Sequence, residues 1–115
     1  MLVIVRNEGS LVYGGKRLTA DLQQTFDHVI RVEQVVSDAV NHFADISVLR
    51  SDGSKEFIRL NESDDVSIDG VLVVALIGFL RRREGDHRSK PAVRLGFDAP
   101  KSYKIVRDNA IKKVP

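Results

Sequence analysis

The sequence predicts a mostly β domain into which one long α-helix and a β-hairpin are inserted. Three features carry that expectation: short β-branched runs near both ends, a central stretch with helical apolar spacing, and an Asp-Gly pair between two further runs. At 115 residues the chain suffices for a single domain, residues 1–115, with one core of modest size.

The elements follow in order. Residues 2–6 form a short aliphatic strand ended by Asn7-Glu8-Gly9-Ser10, and Leu11-Val12-Tyr13 is a second extended run closed by Gly14-Gly15. From Thr19 to Phe43 the apolar residues Leu22, Phe26, Val29, Ile30, Val36, Ala39, Val40 and Phe43 recur at steps that place them on one face of a helix. Thr19 serves as its N-cap, with Asp21 near the positive end of the helix dipole. Ile46–Arg50 and Glu56–Leu60 flank Ser51-Asp52-Gly53-Ser54, a hairpin with a tight turn. Val66 to Leu80 returns to strand chemistry with a turn at Asp69-Gly70. Arg81 to Pro91 reads as an exposed basic loop, Ala92–Phe97 and Ser102–Arg107 as strands, and Asp108–Pro115 as a tail with room for one helical turn. No internal repeat is visible. The apolar stripe of the helix needs cover, and the expectation is that it packs on the outer face of the sheet while the hairpin extends that sheet, or that it meets its copy in a second subunit.

Composition narrows the function. The chain is 43% hydrophobic and 30% charged, with no cysteine, which removes disulfides, thiolate metal sites and a cysteine nucleophile. The start lacks the pattern of a secretory signal and no apolar run reaches the ~20 residues of a membrane span, so a cytoplasmic protein is expected. Net charge is +2, but it divides unevenly. Residues 1–80 hold 7 Lys+Arg against 12 Asp+Glu (−5), whereas residues 81–115 hold 11 against 4 (+7). A basic C-terminal third suits an anionic partner, since clustered cations displace counterions from a phosphate backbone.

No catalytic constellation emerges. His28, His42 and His87 share no metal-ligand spacing, and the carboxylates of Asp52, Asp64 and Asp65 sit in turns. Gly9 to Lys16 misses the phosphate-loop pattern, because Gly15 stands where the lysine belongs. The expectation is no enzyme, cofactor, metal or small-molecule substrate.

Two separated segments stand out together: Met1-Leu2-Val3-Ile4-Val5-Arg6-Asn7-Glu8-Gly9 at the start, and Ala75-Leu76-Ile77-Gly78, Ala92-Val93-Arg94-Leu95-Gly96-Phe97-Asp98-Ala99-Pro100-Lys101 and Ile105-Val106-Arg107-Asp108 towards the end. In this order they resemble the carbon storage regulator (Csr/Rsm) family of bacterial RNA-binding translational regulators. The first is similar to the family's opening strand and glycine turn, and the others to its Leu-Gly strand, its Val-Arg-Ile-Gly-Val-x-Ala-Pro-Lys signature and its last strand. Csr-like segments thus span 1–15 and 66–111, and about 16–65 reads as the inserted helix and hairpin.

The resemblance implies a small β-sheet or barrel homodimer whose first and last strands are exchanged between subunits, with two RNA sites that recognise GGA in single-stranded or hairpin-loop RNA. It assigns the site to Ile4, Arg6, Lys104, Ile105, Val106 and Arg107, with auxiliary phosphate contacts from Arg81, Arg82, Arg83, Arg88 and Lys90. The partner would be an mRNA or a small regulatory RNA. Asn7 stands where the family has a second arginine, Val106 replaces its histidine and Ala110 an aliphatic residue. Those departures favour an alternative: a Csr-like interaction or assembly module that has lost RNA binding.

Overall fold

The computed structural model describes residues 1–18, 25–80 and 91–107. Among them the chain is all β, with nine strands: β1 Leu2–Asn7, β2 Leu11–Gly15, β3 His28–Ser37, β4 His42–Arg50, β5 Lys55–Asn61, β6 Asp65–Ile68, β7 Leu72–Leu80, β8 Ala92–Asp98 and β9 Lys104–Arg107. They form two antiparallel sheets, ordered β1-β8-β7-β6 and β5-β4-β3-β2-β9. The sheets enclose one core. Ile4, Ile68, Val74, Leu76, Leu95 and Phe97 of the first sheet meet Val12, Ile30, Val32, Ile46, Val48 and Leu60 of the second.

The expected long helix over Thr19–Phe43 is not present. Residues 19–24 lie outside the described residues, and the remainder is β3, a turn and the start of β4. The reason lies in Val29, Ile30, Val32, Val35 and Val36, whose branched side chains suit a pleated surface better than a helix. The stripe does not survive as one face. Ile30 is buried in the main core with Val32 and Val35, whereas Val29 belongs to a separate cluster, and the β3–β4 register shift between Val32 and Gln34 changes the phase of the alternation once. Val40 belongs to no stripe: it sits 84% exposed at the tip of the turn. There the Asp38 carboxylate accepts the backbone N–H groups of Val40 (2.8 Å) and Asn41 (2.7 Å).

The turn residues read from the sequence hold their places. Gly53 takes φ 89° between β4 and β5, and Asp69 and Gly70 take φ 53° and 68° between β6 and β7, where the Val71 N–H closes the turn on the Ile68 carbonyl at 3.1 Å. The segment 16–65 is no appendage, however. It supplies β3, β4 and β5, the larger part of the second sheet.

The structure also contains the repeat that the sequence does not display. Exchanging β1 with β5, β2 with β6, β3 with β7 and β4 with β8 converts the order β1-β8-β7-β6 into β5-β4-β3-β2. Registers agree under the exchange. Ile4 opposes Leu95 as Ile58 opposes Ile46, and Val12 opposes Ile30 as Val66 opposes Val74. The bulge at Val32/Gln34 has its twin at Leu76/Gly78. Both crossings between sheets close alike: Gly9 N–H donates to the Val32 carbonyl (2.7 Å) and Ser63 N–H to that of Leu76 (3.0 Å). Gly9 and Ser63 both have positive φ. Two equivalent units, β1–β4 and β5–β8, have thus exchanged their leading strands within one chain. Within the chain β1 pairs with β8 and β9 with β2.

Candidate nucleic-acid interface

β1 and β9 come from opposite ends of the chain and are the outer strands of different sheets. Each therefore leaves one row of backbone N–H and C=O groups outside the ladder. Between them runs a groove of about 530 Å³ lined by Leu2, Val3, Ile4, Val5, Ile105, Val106 and Arg107. Four residues expected at the site, Ile4, Ile105, Val106 and Arg107, line it together. Lys104 opens β9 and is exposed, as is Arg107 at its end.

The alternation of β1 qualifies two assignments. Ile4 and Arg6 are buried at 6% exposure each, while Val3 and Val5 face outward. Any ligand in the groove meets β1 through its backbone and the outward valines, and the exposed cations come from β9. Arg81, Arg82, Arg83, Arg88 and Lys90 lie outside the described residues, as do Ala110 and the tail.

β9 is fixed by a network that no sequence motif announces. Tyr103, immediately before β9, is buried and reaches His28 Nδ1 with its hydroxyl at 2.8 Å. His28 Nε2 lies 2.7 Å from the Asp69 carboxylate in the β6–β7 turn. A carboxylate only accepts, so Nε2 carries the hydrogen, and in the neutral ring Nδ1 accepts from Tyr103. Asp69 also accepts from Arg50 Nε at 2.8 Å, and Arg50 Nη2 donates to Glu56 at 2.9 Å. Burial, and then the charges of Asp27 and Asp69, raise the Tyr103 pKa, so the phenol keeps its proton. The side chains come from β3, β4, β5, the β6–β7 turn and the approach to β9. His28 and Tyr103 are 75 residues apart, so only the fold brings them together.

The hydrogen bond from Arg50, followed by that from His28, holds the Asp69 carboxyl down at about 2. A depressed folded pKa stabilises the fold above the ordinary carboxylate range, and that contribution fades as pH falls towards 2. Urea midpoints should therefore drop between pH 4 and pH 2 more steeply in wild type than in Asp69→Asn. Asp38 and Asp52 are lowered too, by backbone N–H groups in their turns, so the wild-type-minus-mutant difference isolates Asp69. Parallel curves would show that the network carries no linkage.

Among the described residues no group of three His, Asp or Glu side chains is placed to hold a metal. His28 and His42 sit on neighbouring strands with separate partners, the latter 3.1 Å from the Ser37 hydroxyl. No helix among the described residues is long and apolar enough to cross a membrane. In comparisons with family models, curated proteins and solved structures, nothing matches the chain.

Proposed function

We propose that the chain is a cytoplasmic, non-enzymatic RNA-binding regulator of translation, a variant of the Csr/Rsm pattern that recognises GGA in single-stranded or hairpin-loop RNA along the β1/β9 groove. The observation that carries this reading is the side-by-side placement of the first and last strands, the two segments to which the resemblance assigns the ligand. Unstacked loop bases are read through hydrogen bonds to their edges and by stacking on flat groups. Two outer strands supply backbone donors and acceptors, and Arg107 supplies a planar guanidinium beside them. Lys104 adds a cation for phosphate, which strengthens binding without specifying sequence. RNA held this way over a ribosome-binding site would be closed to translation.

The test is fluorescence anisotropy with a hairpin RNA carrying GGA in its loop, beside a copy with the triplet scrambled, at two salt concentrations. The scrambled RNA should bind at least about tenfold more weakly, matching the roughly 1–3 kcal/mol of a specific base contact. Arg107→Ala should erase most of that difference. Equal, salt-sensitive binding of both RNAs would reduce the site to a general basic surface.

One observation favours the interaction-module alternative. The outward face of β1 and its neighbourhood expose Val3, Val5 and Ile77 at 43–50%, where the equivalent positions of β5 and β3 carry Phe57, Arg59 and Glu33. Absence of RNA binding at either salt would turn attention to that apolar face.

A further inference from the structure

We infer that one chain is a complete binding unit with a single RNA site, because the internal exchange that builds the β1/β9 groove in one half is not matched in the other; this rests on the proposed RNA reading. Three features of the second half set it apart.

The first is a strand with no counterpart among the described residues. β9 lies beside β2, and its counterpart would lie beside β6. In chain order that counterpart would arise between β4 and β5, as β9 arises after β8. The β4–β5 connection is fully described and is only the tight turn Ser51–Ser54, where Arg50 N–H donates to the Ser54 carbonyl at 2.9 Å. The turn leaves no room for a strand.

The second is the seat of that strand. On the β2 side, Gly14 opposes His28, and an added Cβ at Gly14 would strike the Tyr103 ring, 2.6 Å from Cε1 and 2.7 Å from Cζ. Glycine thus makes the space that Tyr103 fills on the way into β9. On the β6 side the equivalent pair is Ile68 opposite Leu72, both buried. The apolar side chain of Ile68 already occupies the place a tyrosine would need.

The third is the charge on the outer strands. β9 bears the exposed cations Lys104 and Arg107, whereas β6 bears exposed Asp65 and no cation. A carboxylate on that edge repels a phosphate backbone, where the two cations of β9 attract one.

Sedimentation and native mass spectrometry of the full chain, alone and titrated with the GGA hairpin RNA, test the inference. The free protein should sediment at 12.8 kDa and saturate with one RNA per chain. Arg107→Ala should abolish GGA-preferring binding, and Arg59→Ala, on exposed β5, should leave affinity within about twofold. Both positions are exposed, and circular dichroism confirms that the variants are folded. Two RNAs per chain, or half the binding capacity surviving in Arg107→Ala, would overturn the single site. Saturation at one RNA per two chains, or a free protein of twice the mass, would overturn the one-chain unit. A monomer that binds GGA and scrambled RNA equally would instead remove the RNA reading beneath the inference, and the site assignment with it.

Discussion

Ile30→Ala should lower the free energy of unfolding by about 2–5 kcal/mol, and Val40→Ala should leave it within about 0.5 kcal/mol. In the amino-acid sequence the two residues look alike: both are branched, apolar and in phase with the same helical stripe. In the structure Ile30 is 1% exposed between the sheets and opposes Val12 and Val48, whereas Val40 projects from the β3–β4 turn. Truncating Ile30 removes apolar burial and leaves a void that close-packed neighbours fill only in part. Against the 5–15 kcal/mol that holds a typical domain together, that loss is large. Urea unfolding of the two variants decides the matter. Equal, substantial losses would mean that Val40 is buried rather than exposed at the turn.

This contrast also shows what the sequence made legible. Strands bounded by glycine and aspartate are readable from local chemistry alone: Gly53, and Asp69 with Gly70, take the positive φ that these residue types tolerate best. The central segment is not. One unpaired residue at the Glu33 bulge changes the phase of the alternation, and apolar residues of two separate clusters, Val29 and Ile30 among them, fall together at helical spacing. The β-branched content of Val29 to Val36 is the local signal that favours a strand over the helical spacing. The internal repeat escaped for another reason. Equivalence between the units is kept in backbone pairing, crossings and bulges, while side chains at matched positions differ: Arg6 with Leu60, Gly14 with Ile68, His28 with Leu72. The core asks only for suitable volume and polarity at each place, so register persists where identity does not. Of the candidate site, Ile105, Val106 and Arg107 were found through their resemblance to a known strand. The network of His28, Asp69, Arg50 and Tyr103 depends on separations that no local pattern encodes.

Gly14→Val should cost at least about 3 kcal/mol, the scale of losing a buried aromatic side chain together with its hydrogen bond. The new side chain cannot share space with the Tyr103 ring, and on β2, a strand paired on both sides, the backbone has little freedom to retreat. Tyr103 must leave, which strips His28 Nδ1 of its partner in a buried site and unseats the approach to β9. GGA-preferring RNA binding should fall with it, since β9 forms one wall of the groove. A double-mutant cycle with Tyr103→Ala separates this from a general intolerance of valine in β2. Once the ring is gone, the added valine enters vacated space, so the second substitution should cost about 1–3 kcal/mol less than it does in wild type. Full additivity would mean that Gly14 is glycine for some reason unconnected with Tyr103. Strong coupling would place the glycine, the tyrosine and the ninth strand in one device, present in the half of the molecule where the groove forms and replaced by Ile68 in the half where it does not.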